Sequence, residues 1–266
     1  MSSRRAHLGC LLLHGFSGSP LEMMPLAGEL ETVGWTVSIV RLAGHGTSPA
    51  ELARMTWTDW ARSAQDGYEG LRHCCERVAL VGLSMGGALG LYLAARTHPA
   101  AVVAISTPIT VRPVMAKASR VTSRVLPYAP VLAALTPREA AMRRYRSPYR
   151  RIPLRSVSEV EALLAAMREA LPRVRAPVLI LQGRRDWVIP KDSAGELRRR
   201  LTHAEASVVW LPRSGHVATL DRDRVHAGEV VAEFLRTHLG DPAAARTPAA
   251  GRETIPGEAP RHGRAD

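Results

Sequence analysis

The stretch VALVGLSMGGALG (Val78–Gly90) decides the fold. An apolar, partly β-branched run of strand length ends at Leu83, and a glycine-rich run suited to a helix begins at about Met85. Ser84 sits at the junction, with Gly82 and Gly86 two residues to either side. A strand that passes straight into a helix forces the joining serine into a strained backbone, tolerable only beside residues without side chains. The pattern G-x-S-x-G alone is weak. With Gly and Ser each near ~7% of residues, about one chain of this length in ten carries it by chance. The flanking strand and helix supply the specificity. They predict a hydroxyl raised beyond the carboxyl edge of a sheet, at a helix N-terminus that favours developing negative charge. Gly82 and Gly86 then allow close chain approach, and Gly87 lets the helix pack on its neighbours.

Outward from this stretch, short continuous apolar runs alternate with amphipathic ones. Runs beginning at Leu8, Thr36, Arg77, Ala101, Pro177 and Ala206 read as buried parallel strands, because they lack the alternation of one-sided strands. Helices are expected between them. Ser19, Pro20 and Glu22 read as an N-cap, first turn and capping box for a helix that Gly34 closes. Thr56 and Asp59 open another, and further helices follow Ser84, start near Asp192 and run from about Arg224 to Leu239. This alternation predicts an α/β protein with a doubly wound, mostly parallel sheet. From about Ile109 to Pro172 no strand is expected, and prolines punctuate short helical pieces. The expected division is a core of 1–108 and 173–240, a small helical cap inserted at 109–172, and a disordered Pro-, Ala-, Gly- and Arg-rich tail at 241–266.

With 266 residues and 46% apolar content, the chain can bury a sizeable core without disulfides or metals. No window approaches the ~20 apolar residues that cross a bilayer. Arg4 and Arg5 before Gly9–Leu13 imitate a secretion signal, but the apolar region is too short and no A-x-A site follows; a cytoplasmic protein is expected. Cys10, Cys74 and Cys75 offer neither a disulfide framework nor metal spacing and read as reduced structural thiols. The net charge of +12 is localised: Thr110–Arg175 holds thirteen Arg and one Lys against four Glu, a net +10. Such a segment can attract anionic lipid or nucleic acid, but no nucleic-acid module accompanies it, so no nucleic-acid partner is expected.

A serine hydroxyl needs a base held in one tautomer by an acid. Of ten histidines, nine read as turn, helix-face or terminal residues. His216 differs: it lies in a Gly-containing loop after the last strand, in LPRSGHVATLD. Asp186 holds the equivalent place after the preceding strand, whereas Asp59, Asp192, Asp221 and Asp223 read as helix caps or first-turn charges. Ser84, Asp186 and His216 thus form a candidate catalytic set of nucleophile, acid and base, all at one sheet edge. An oxyanion hole requires two backbone N–H donors; Met85 and Phe16, the latter in HGFSGSP, are the candidates. No metal or organic cofactor is required by this set.

Over about Leu8–Leu239 the sequence resembles the α/β-hydrolase superfamily. LLLHGFSGSP, RLAGHGTSP, VGLSMGG, QGRRDWVIPKDSA and SGHVATLD look like bacterial carboxylesterases and monoacylglycerol lipases. The resemblance implies a serine esterase acting on short- to medium-chain acyl esters or monoacylglycerols, with Ser84, Asp186, His216 and the backbone of Phe16 and Met85 in the family roles. Two departures stand out. The sheet is expected to lack the opening hairpin of larger relatives, and the cap is unusually Arg-rich, so cap contacts to substrate do not carry over. Thioesterase, C–C bond hydrolase, perhydrolase and acyltransferase chemistry use the same set, and a non-catalytic binding protein of this fold is a further alternative. The expected partners are the small-molecule ester and, transiently, anionic lipid surfaces touched by the basic cap; the expected assembly is a monomer or homodimer.

Overall fold

The structure, a computed structural model, describes residues 7–112, 127–131, 139–145, 147 and 149–242. Most of the tail expected to be disordered, 243–266, lies outside the described residues, as do 113–126, 132–138, 146 and 148 of the Arg-rich stretch. The strands are β1 (His7–Leu13), β2 (Thr36–Val40), β3 (Cys75–Leu83), β4 (Ala101–Ile105), β5 (Tyr128–Pro130), β6 (Arg151–Pro153), β7 (Val178–Gly183) and β8 (Ala206–Leu211). The helices are α1 (Met24–Thr32), α2 (Pro49–Leu52), α3 (Trp57–Cys74), α4 (Met85–Thr97), α5 (Leu154–Ala170), α6 (Ser193–Arg200) and α7 (Arg224–Leu239).

Six strands form one sheet in the order β2-β1-β3-β4-β7-β8, and every neighbouring pair is parallel. The continuous apolar runs follow from burial on both faces: Cys10, Leu11, Leu12 and Leu13 of β1 are all buried, and β4 is buried throughout. Alternate residues feed two cores. Leu11, Leu13 and Leu80 pack with Trp60, Leu89, Leu163 and Leu197 on the face that carries α3 to α6. Cys10, Leu12 and Val81 pack with Leu26, Leu30, Val231 and Leu235 of α1 and α7 on the other. The chain runs outward from β1 to β2 and then returns to β1's opposite side with β3. That reversal opens a crevice at the carboxyl ends of β1 and β3, where sheets of this kind place their ligands.

Two expectations need correction. Residues 109–172 are not free of strands: β5 and β6 pair antiparallel, with Ala129 opposite Ile152. Pro130 and Pro153 end these strands in extended backbone, and three-residue strands are too short to show a period. The same segment contains α5, a 17-residue helix rather than short pieces. Leu163, Leu164 and Met167 of α5 are fully buried in the same core as Leu89 and Leu91 of α4. The second correction concerns Ser19 and Glu22. A 3-10 turn, Pro20–Met23, leads into α1; Ser19 holds its N-cap position and Pro20 its first turn as expected, but the Ser19 side chain makes no cap bond. The Glu22 carboxylate packs against Gly18, in the space that a Cβ there would need.

Candidate active site

Ser84 joins β3 to α4 with φ 55° and ψ −115°, a backbone that costs a non-glycine residue about 1–3 kcal/mol. The turn is held by what its neighbours lack. A Cβ on Gly82 would collide with the Gly86 carbonyl and the Gly87 nitrogen, and one on Gly86 would collide with the Leu13 carbonyl and lie 2.7 Å from the His14 oxygen. A Cβ on Gly87 would strike the Thr107 hydroxyl. The Ser84 N–H donates to the Ile105 carbonyl at 2.7 Å, tying the turn to the end of β4.

His216 and Asp186 arrive from the loops after β8 and β7. Asp186 Oδ2 accepts from His216 Nδ1 at 2.8 Å, and His216 Nε2 lies 2.9 Å from Ser84 Oγ. A carboxylate can only accept, so Nδ1 carries the proton and Nε2 is left to accept from the serine hydroxyl. Burial works to push the Asp186 carboxyl up. Hydrogen bonding and charge from His216, the Val188 N–H at 2.9 Å and the Gln182 amide at 3.1 Å outweigh burial, and the group lies below its ordinary range. Asp186 is therefore held ionised beside His216.

Phe16 lies in the turn after β1, closed by the Gly18 N–H donating to the Gly15 carbonyl at 3.0 Å. Ser17 in this turn has φ 55°. Met85 is the first residue of α4, where a backbone N–H has no partner within its helix. Phe16, Met85, Ser84 and His216 all line one cleft. Two spaces meet there. A mostly apolar cleft extends past Val111, Ile152, Val157, Val160, Val188 and Ile189. A smaller, more polar pocket is bordered by Ser17, Glu22, Ser147 and Tyr149.

Several residues near the site escape reading from sequence. Gln182 orients Asp186 from inside β7, where an amide among apolar residues was the available signal. Asp221 and Asp223, expected as helix caps or first-turn charges, turn their carboxylates onto the loop carrying His216; Asp223 occupies the cap position of α7 without capping it. His14 and His45, expected in a turn and a loop, are both fully buried, their rings 5.1 Å apart. His45 also meets the Phe16 ring at 6.2 Å and the Trp60 ring at 5.5 Å. Desolvation lowers His14 to about 4 and His45 to about 3, so both are neutral near pH 7. Among the described residues no group of three or more His, Cys, Asp or Glu could hold a metal, and no helix is long and apolar enough to cross a membrane.

A doubly wound parallel sheet with Ser84 in a strained turn after β3, hydrogen-bonded in line to His216 and Asp186 from the loops after β8 and β7, is the arrangement of an α/β-hydrolase. Residues 4–223 match the family described as serine aminopeptidase S33, and the chain belongs to that family. It is 33% identical over 249 residues to the thermostable monoacylglycerol lipase of Bacillus sp. (strain H-257), covering 88% of this chain and 92% of that protein. To the carboxylesterase of Bacillus subtilis (strain 168) it is 28% identical over 226 residues, covering 85% and 91%. Among solved structures, one reported for the metagenome-derived lipolytic enzymes LipS and LipT has a TM-score of 0.81 at 32% identity, covering 87% of this chain and 94% of that one. The monoacylglycerol lipase of Paleococcus ferrophilus has a TM-score of 0.73 at 21% identity, covering 86% and 94%, which extends the likeness of fold.

Proposed function

We propose that this protein is a serine hydrolase that cleaves carboxylic esters of short- to medium-chain acyl groups, monoacylglycerols among them. The observation that carries the reading is the linked pair of short contacts, Ser84 Oγ to His216 Nε2 and His216 Nδ1 to Asp186. Ser84 Oγ attacks the ester carbonyl as His216 takes its proton, and the C–O bond to the alcohol breaks as His216 returns that proton to the leaving oxygen. Water then attacks the acyl-serine, giving its proton to His216, and Ser84 leaves reprotonated with release of the acid. Asp186 steadies the imidazolium, and the N–H groups of Phe16 and Met85 receive the oxyanion. The apolar cleft suits the acyl chain and the smaller polar pocket suits the alcohol. The monoacylglycerol lipase and carboxylesterase relatives support this substrate class.

In this reading residues 109–172 form a cap inserted between 1–108 and 173–240 whose helix α5 is seated in the core of those parts, and the segment's net positive charge assists transient docking on anionic lipid–water interfaces. Hydrolysis of anionic lipid dispersions then weakens with added salt; a flat ionic-strength dependence overturns the docking. The central test is a hydrolysis profile over p-nitrophenyl esters of graded chain length, with monoacylglycerols, acyl thioesters and aminoacyl anilides alongside. Preference for the esters, abolished by Ser84→Ala in a folded protein, is the expected result. Preference for thioesters or anilides redirects the substrate class, and full activity of Ser84→Ala overturns the mechanism.

A further inference from the structure

His216 must keep two short contacts at once, so the loop that carries it has to be as rigid as the serine elbow. Glycines fix the elbow, but the segment Arg213–Gly215 is fixed by polar bonds on two sides. On one side stand Asp221 and Asp223, which are 5% and 3% exposed although aspartate is rarely buried without partners. Asp221 Oδ2 accepts from the N–H of Gly215, the residue directly before His216, at 2.7 Å, and its Oδ1 accepts from the Arg222 N–H at 2.9 Å. Asp223 Oδ2 accepts from the Arg213 N–H at 2.7 Å and the Ser214 hydroxyl at 3.0 Å, while Oδ1 takes the Arg213 Nε at 2.8 Å. Ser214 Oγ accepts in return from the Asp223 N–H at 3.0 Å. On the other side the acid's loop closes in. The Arg185 N–H donates to the Ser214 carbonyl at 3.0 Å, and the missing side chain of Gly183 leaves room for the Ser214 and Gly215 carbonyls.

We propose that Asp221 and Asp223 are positioning residues for His216, acting through the backbone of Arg213, Ser214 and Gly215. The proposal rests on the reading of Ser84, His216 and Asp186 as the reacting set. A capping role fits less well, because the cap position of α7 makes no side-chain bond to that helix. Bonds from N–H groups to a carboxylate are shorter and about twice as strong as neutral ones, which suits a rigid brace. Burial works to raise the Asp223 carboxyl, but its bonds from Arg213 and Ser214 hold it below the ordinary range, so the brace stays charged.

The test uses the full chain with p-nitrophenyl butyrate and the variants Asp221→Ala, Asp221→Asn and Asp223→Asn. The expected result for Asp221→Ala is a kcat lowered about 10- to 100-fold, the scale of a displacement near 1 Å, with KM changed less than about twofold. Asp221→Asn, which keeps an oxygen for the Gly215 N–H, recovers part of the loss. The acid limb of the kcat/KM profile moves to lower pH in Asp221→Asn and Asp223→Asn, because a loosened His216–Asp186 bond stabilises the imidazolium less. Folded variants with wild-type kcat and an unmoved acid limb overturn the proposal. So does a loss of kcat that merely follows the folded fraction seen by circular dichroism. If Asp221→Ala does not fold, the two asparagine variants decide. Ser84→Ala in the same assay separates the two readings: activity there removes the reacting set itself, whereas an inactive Ser84→Ala beside normal asparagine variants removes only the brace.

Discussion

Ser84 and His216 stand 2.9 Å apart but are held by opposite means. The serine is fixed by close backbone packing at Gly82, Gly86 and Gly87, where no side chain fits. The histidine is fixed by buried carboxylates that bond backbone N–H groups. Steric fixing tolerates no addition, while polar fixing tolerates shape-conserving changes and fails when an acceptor is lost. One site therefore has two different sensitivities, and substitutions on its two sides report different physics.

The largest expected effect removes the proposed nucleophile from this pair. Ser84→Ala lowers kcat by about 10³-fold or more while the far-UV spectrum and thermal midpoint stay near wild type, since only an oxygen is deleted. The steric side is probed next. Gly86→Ala places a methyl group against the Leu13 carbonyl, where backbone cannot yield, and a loss of about 3 kcal/mol or more in urea denaturation is expected. A change below about 1 kcal/mol would show that the elbow relaxes more easily than its packing implies.

The turn that carries Phe16 gives a third case, packed on the buried rings of His14 and His45. Both imidazoles are lowered on folding, to about 4 and about 3, so the unfolded chain binds protons that the folded chain refuses. Stability is then fully present above the unfolded value of about 6.5 and falls with acid, by about 1.4 kcal/mol per pH unit for each group. Between pH 6.5 and 5.5 a loss of about 2 kcal/mol is expected, about half of it from each group, and His45→Gln halves the slope. An unchanged slope in that variant excludes His45 as a source. The smallest effect falls on the proposed acid, Asp186. Gln182→Leu removes the amide donor to Asp186 and is expected to lower kcat about tenfold with KM nearly constant, read by steady-state kinetics.

The same contrast explains what could be read from the residues alone. The four inner sheet strands, the elbow and the loops bearing Asp186 and His216 were legible because burial on both faces and close backbone approach leave local marks, unbroken apolar runs and glycines at set spacing; the edge strands β2 and β8 are only partly buried but keep their apolar runs. Gln182, Asp221 and Asp223 were not, because an amide or carboxylate in sequence carries no sign of which backbone group it will meet. Ser19 takes the expected N-cap position, but that its hydroxyl makes no cap bond and that the Glu22 carboxylate packs against the turn at Gly18 was hidden for the same reason. The pairing of β5 with β6 depends on chain segments brought together from 128–130 and 151–153, which no local period encodes.

The helix α5 has a consequence for how specificity can change. Val157 and Val160 line the apolar cleft, and Val160 also belongs, with Leu163, Leu164 and Met167, to the core shared with α4. One rod thus carries both cleft wall and core contacts, and the two overlap at Val160. A substitution at Val157 alters the cleft wall while Leu163, Leu164 and Met167 keep the rod seated, whereas one at Val160 disturbs wall and core together. Under the proposed function, a change in chain-length preference is therefore expected to be tolerated at Val157 before Val160.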